Sequence, residues 1–148
     1  MAQLDIMTVV IILHAVSTIA LFGLIWFVQL VHYPLFLHVG PNAFVGYEAR
    51  HQRRTTFIVL PLMGVEAVTS LLLVIFPPDA NLQWLTWSGW GLVVLIWLST
   101  FLIQVPLHRK LERGPDSETV GKLVGSNWIR TVCWTLRVPI ALALLIGP

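Results

Sequence analysis

Asn127, Arg130, Trp134 and Arg137 lie within the run Asn-Trp-Ile-Arg-Thr-Val-Cys-Trp-Thr-Leu-Arg near the end of the chain. Their spacing of i, i+3, i+7 and i+10 puts an amide, an indole and two guanidinium groups on one face of a helix. An arginine in a membrane helix costs about 2.5–3.5 kcal/mol on insertion scales, so that face must turn toward protein or water. Guanidinium groups held this way can stabilise a developing phenolate or enolate, and the indoles of Trp128 and Trp134 can clamp a ring. Such a site lacks only a proton acceptor, which a histidine or Glu66 can supply.

Other polar residues in apolar surroundings fall on matching faces. In the first hydrophobic segment Trp26, Gln29 and Tyr33 share a face, with His32 beside them. In the third, Trp97, Phe101, Gln104 and His108 form one stripe at i, i+4, i+7 and i+11. The second offers His51, Arg54, Thr55 and, about 18 Å further along, Glu66. Glu66, His108 and Arg137 are the catalytic candidates. Gln29, His32, Tyr33, His51, Arg54, Trp97, Gln104, Asn127, Trp128, Arg130 and Trp134 are the substrate-binding candidates, enclosing a tryptophan-walled pocket open to the cytoplasm. Glu66 is expected roughly 7.5 Å beyond Arg137, so a direct ion pair requires helix tilt or a kink at Pro61; unpaired, it would be a proton carrier, a base or a ligand. His32, His51, Glu66 and His108 are the metal-ligand candidates, a set that suits zinc, iron, copper or manganese, and two of the histidines could hold a haem. His14, toward the opposite end, reads as a solitary polar residue. These candidates form no Glu-x-x-His or His-Glu-x-x-His signature, and no phosphate loop, Gly-x-Ser-x-Gly or dinucleotide fingerprint occurs, which argues against nucleotide-cofactor chemistry.

Composition dictates the elements that position these residues. With 57% hydrophobic residues, 11% charged residues, seven tryptophans and a mean hydropathy of +0.82 over 148 residues, the chain cannot hide its apolar surface in a small soluble core. It reads as an integral membrane protein in contact with lipid. The apolar run after Asp5 is too long for a signal-peptide core, and no Lys or Arg precedes it, so no cleavable signal is expected. The predicted spans are 7–33, 55–76, 85–107 and 123–146. Pro34 ends or kinks the first, Asn42 caps the second helix ahead of its span, and Pro61 kinks it. Trp84, Trp87 and Trp90 mark an interfacial belt. The fold class is an all-α membrane protein, a four-transmembrane-helix antiparallel bundle. His51 to Thr55 aligns with Asn127 to Thr131 at an offset of 76, and Tyr33-Pro34-Leu35-Phe36 with Val105-Pro106-Leu107-His108 at 72, the pattern of two tandem helical hairpins. The lone Cys133 is a small packing residue and excludes an intrachain disulfide.

Pro106-Leu107-His108-Arg-Lys-Leu111, followed by Asn127-Trp128-Ile129-Arg130-Thr131, resembles the pattern of small four-helix membrane proteins that include the anthrone-oxygenase-like group. There a Pro-Leu-Asn motif ends the third span and an Asn-x-x-Arg motif opens the fourth; here His108 stands in place of Asn. The resemblance covers chiefly the second half of the chain. It implies a four-helix membrane fold and oxidation of a lipophilic aromatic substrate by oxygen without a nucleotide cofactor.

Three classes of function follow: an oxidoreductase or oxygenase for a lipophilic aromatic or quinone-like compound, a subunit binding a cofactor, pigment or lipid, and a small proton-coupled transporter. A homo-oligomer or a larger membrane complex would suit the last two. The basic residues group in loops rather than along a nucleic-acid-binding face, so no nucleic acid is expected. Arg50, Arg53 and Arg54 flank the first turn, and Arg109, Lys110, Arg113 and Lys122 the third, while the tails and the Asp79 turn carry none. By the positive-inside rule both termini are extracytoplasmic, the membrane being a bacterial inner membrane. A reporter fused after Pro148 is therefore expected to be active only when it requires the outer compartment; activity of a cytoplasm-dependent reporter there contradicts the topology.

Overall fold

The apolar runs become helices because their backbone groups can then be satisfied within each segment, and the proline and glycine clusters between them become turns. A computed structural model describes residues 5–147; the tails whose side of the membrane the charge pattern addresses, Met1–Leu4 and Pro148, lie outside the described residues. Four helical runs are long and apolar enough to cross a membrane: Ile6–His38, Pro41–Ile75, Ala80–Leu111 and Ser117–Ile146. Within them lie α1 (Ile6–Phe27), α2 (Pro41–Ile75), α3 (Gln83–Ser99), α4 (Val105–Leu111) and α5 (Ser117–Ile146). The result is an all-α four-helix bundle with large apolar side chains such as Phe57, Leu102 and Ile146 left on its outside.

The helix starts are set by short polar side chains and by proline. Asp5 caps α1 by accepting from the Thr8 amide at 2.7 Å. Asp116 caps α5 and is also held by Lys110 and the Thr119 hydroxyl, each at 2.6 Å, which keep its carboxyl below the usual range. The cap of α2 corrects the expectation of Asn42: Gly40 is the N-cap, and Pro41, whose fixed φ and missing N–H suit a first helical position, starts the helix. The long helix therefore includes two turns of polar residues ahead of its apolar stretch.

Two π-helical turns, Val28–His32 and Thr100–Gln104, interrupt the first and third runs. Each ends within two residues of a proline, Pro34 or Pro106, whose ring would clash with the carbonyl four residues back. Widening to an i−5 bond, as from the Tyr33 amide to the Val28 carbonyl at 3.0 Å, accommodates the ring. The two π turns start 72 residues apart and α2 and α5 start 76 residues apart, the same offsets that relate the sequence halves.

Toward the middle of the bundle the polar residues close into one knot. Arg137 Nε donates to Glu66 Oε1 at 2.9 Å, Nη1 donates to the Gly89 carbonyl, and Nη2 reaches Thr18 Oγ1 at 3.5 Å. Thr18 in turn donates to Glu66 Oε1 at 2.9 Å, and Trp134 Nε1 donates to both carboxylate oxygens at 3.2 and 3.1 Å. One guanidinium thus touches α1, α2 and α3 from its place on α5. A side chain at Gly89 would meet Arg137 Nη1 at 3.6 Å and Ile140 at 3.4 Å, so only hydrogen or a methyl leaves the guanidinium its path to the carbonyl. His14 is not solitary: it is buried and its Nδ1 lies 3.3 Å from Thr69 Oγ1, one turn along α2 from Glu66.

Both charges are 1% exposed, so removing either leaves the other buried without compensation. Arg137→Ala is expected to lower stability in detergent by about 3–5 kcal/mol, and Arg137→Met combined with Glu66→Leu to be more stable than Arg137→Ala alone. Thermal or denaturant unfolding checks this; a wild-type midpoint for Arg137→Ala contradicts the knot.

Candidate functional site

A second polar cluster occupies the end of the bundle where the arginines of α2 and α4 lie. Its residues come from the first π turn and the Tyr33 beside it, from the polar start of α2, from α4 and from the first half of α5. Asn127 is fully buried; its Nδ2 donates to Gln29 Oε1 at 2.8 Å, while Gln29 Nε2 donates to the Val124 carbonyl at 3.1 Å. Arg130 then donates through Nε and Nη2 to Asn127 Oδ1, and through Nη2 to the Tyr33 hydroxyl at 3.2 Å. Gln29 and Asn127 are thus braces that fix the arginine, which in turn fixes the tyrosine.

From Tyr33 the chain of contacts continues to a buried carboxylate. The Tyr33 hydroxyl lies 3.0 Å from His108 Nε2, and His108 Nδ1 lies 2.6 Å from Glu48 Oε1. Arginine can only donate and a carboxylate only accept, which leaves the tautomer of His108 to set the direction between them. With the His108 proton on Nδ1, Arg130 donates to the Tyr33 oxygen, Tyr33 donates to Nε2, and Nδ1–H donates to Glu48. Gln52 Nε2 also donates to Glu48 Oε1 at 3.1 Å, while Oε2 is buried with no partner among the described residues. Beside this relay His32 Nε2 lies 2.7 Å from His51 Nδ1, which Thr55 Oγ1 also approaches at 3.1 Å. The His51 and His108 rings are 5.4 Å apart, with Phe36 packed edge-on against both.

Two clefts border the cluster, meeting along His51, Thr55 and Val59 of α2. The first, of about 360 Å³ between α1 and α2, is lined by His32, Tyr47, Arg50, His51, Arg54 and Thr55, with Leu24, Phe27, Val28, Ile58 and Val59 continuing it. The second, of about 230 Å³ between α2 and the third helical run, takes in Tyr33, His51, Trp97, Gln104, His108 and Arg130, with Val59, Leu60, Met63 and Phe101 as its apolar part. Exposed apolar side chains flank both, Phe27 and Ile58 on the first and Leu60 and Phe101 on the second. The apolar part of each cleft is therefore continuous with the apolar outer surface of the bundle.

The structure accordingly divides the predicted residues. It brings Tyr33, His51, Trp97, Gln104, His108 and Arg130 to the second cleft, and His32, His51 and Arg54 to the first. Gln104 is braced by Ser99 and Ser126, at 2.9 and 3.3 Å. Glu66, Trp134 and Arg137 are in the separate knot, with every guanidinium nitrogen used there. Trp128 is partly exposed and packs edge-on against Trp26, whose indole donates to Thr135 at 3.1 Å. Of the tryptophans, Trp97 lines the second cleft, and its Nε1 is buried without a partner among the described residues. The tryptophan wall is thus one indole.

The residue that hydropathy misses is Glu48. It precedes the apolar stretch of α2 by two turns and reads as a solvated charge, yet it is fully buried against His108. Its spacing to His51, Glu-x-x-His on one helix face, is the signal that marks it. An orphaned carboxylate oxygen amid three imidazoles raises the question of a metal. Glu66 is 15 residues along α2 from His51, about 22 Å, and takes no part. The imidazole nitrogens face one another, Tyr33, Thr55 and Glu48, and among the described residues no group of three or more His, Cys, Asp or Glu is arranged to hold a metal ion.

Comparison with protein-family models, with curated proteins and with solved structures finds no match to this chain, so the site's own geometry carries the functional reading.

Proposed function

We propose that the protein is a membrane enzyme performing acid–base chemistry on a lipophilic phenol- or quinol-like compound that enters the second cleft from the bilayer. The observation carrying this reading is the Arg130–Tyr33–His108–Glu48 relay on the wall of a cleft with an apolar lobe. A substrate hydroxyl, or an acidic C–H beside a ring carbonyl, gives its proton to the Tyr33 oxygen while the Tyr33 proton moves to His108 Nε2. Glu48 stabilises the imidazolium so formed. The charge left on the substrate oxygen faces Arg130, whose Nη1 has no partner among the described residues, and the Trp97 N–H. Val59, Leu60, Met63 and Phe101 bind the ring system and exclude water.

The likeness to the anthrone-oxygenase-like group extends this to oxidation. An enolate is the form that reacts with dioxygen, and a diaryl methylene plus O₂ gives a ketone plus water without a nucleotide cofactor. The basic end, and with it the cleft, is assigned to the cytoplasmic leaflet by the loop charges, in a bacterial inner membrane.

Oxygen uptake and product formation with anthrone, and with a short-chain quinol, test the reading on protein in nanodiscs. Tyr33→Phe is expected to lower turnover by roughly 10²–10⁴, the usual span for a lost acid–base group, with helical content unchanged. Binding of both compounds without turnover by the wild type makes the protein a binding subunit, and turnover unaffected in Tyr33→Phe removes the relay from the chemistry.

A further inference from the structure

The first cleft takes no part in the reaction proposed above, although it shares His51, Thr55 and Val59 with the second. Its walls change character along their length. His32, Tyr47, Arg50 and Arg54 stand at the basic end, and Leu24, Phe27 and Ile58 continue toward the middle of the bundle. From His32 back to Leu24 is eight residues, about 12 Å of helix. That gradient, a cationic mouth running into an apolar groove open to lipid, is the gradient of an anionic amphiphile lying along the bilayer normal.

The charges at this mouth lack compensation. At the same end Asp116 is paired with Lys110 and Glu118 with Lys122, whereas among the described residues Arg50 and Arg54, like Arg53, Arg109 and Arg113 outside the cleft, make no ion pair. They stand at i and i+4 on α2, a like-charge arrangement that destabilises a helix unless an anion sits between them. Arg50 is also folded back along its helix, its Nη2 lying 3.7 Å from where a Cβ on Gly46 would stand. A guanidinium is the group best matched to phosphate oxygens, by paired N–H donors.

We propose that this cleft binds one anionic phospholipid, its phosphate on Arg50 and Arg54 and one acyl chain laid along Leu24, Phe27 and Ile58. The apolar groove distinguishes a lipid from free phosphate, and the proposal stands independently of the reaction in the second cleft.

Native mass spectrometry of the protein taken from nanodiscs tests it, using equimolar phosphatidylglycerol and phosphatidylcholine with matched chains. The wild type is expected to retain one phosphatidylglycerol in preference. Arg50→Gln with Arg54→Gln should weaken that preference about thirtyfold, the equivalent of about 1 kcal/mol per arginine. Arg53→Gln with Arg109→Gln, which removes the same charge from exposed positions outside the cleft, should leave it unchanged. Circular dichroism confirms that both variants are folded. Equal retention of the two lipids, equal loss in the two double variants, or displacement of the lipid by millimolar inorganic phosphate each overturns the proposal.

Discussion

The Arg137 guanidinium on α5 fixes how the four helical runs sit against one another, because it binds a carboxylate on α2, a carbonyl on α3 and a hydroxyl on α1. In lipid there is little hydrophobic drive for helices to associate, so polar contacts across the interior do much of the specifying. A charge pair also restricts the alternatives: any slide of one helix by a turn would strand a buried charge. Trp134 and Thr18 also donate to Glu66, so both of its oxygens are engaged within the knot.

That closure frees the other end of the bundle to be open. There the polar groups are arranged in series rather than in a ring: Gln29 and Asn127 brace Arg130, Arg130 holds Tyr33, and Tyr33 leads through His108 to Glu48. The series borders a cleft at Tyr33, His108 and Arg130. The prolines serve this end as well. By forcing π turns at Val28–His32 and Thr100–Gln104 they re-aim Gln29, His32 and Gln104 relative to an unbroken helix, and set Tyr33 and His108 opposite each other.

Much of this was legible in the sequence. Composition gives the membrane and the four helices, and the face shared by Asn127, Arg130, Trp134 and Arg137 is buried as its cost in lipid demands. The stripe from Trp97 to His108 does line a cleft, despite the π turn within it. What periodicity could not give was the pairing. Whether Arg137 reaches Glu66 depends on helix tilt and on a long flexible side chain, neither of which has a signature in spacing. Arg130 and Arg137 share a face yet serve different clusters, since seven residues along a helix is about 10 Å. Glu48 was hidden for another reason: hydropathy treats a charge outside the apolar stretch as solvated, and its burial comes from His108, 60 residues away.

Proton transfer from Tyr33 along the relay requires His108 to carry a proton on Nδ1 and to leave Nε2 free to accept. Nitrogen-15 NMR of histidine-labelled protein in nanodiscs at neutral pH reads both ring nitrogens of His108 directly. A protonated Nδ1 beside a bare Nε2 that accepts from Tyr33 is the predicted result. A proton on Nε2, alone or together with Nδ1, would leave the Tyr33 hydroxyl without an acceptor and contradict the mechanism.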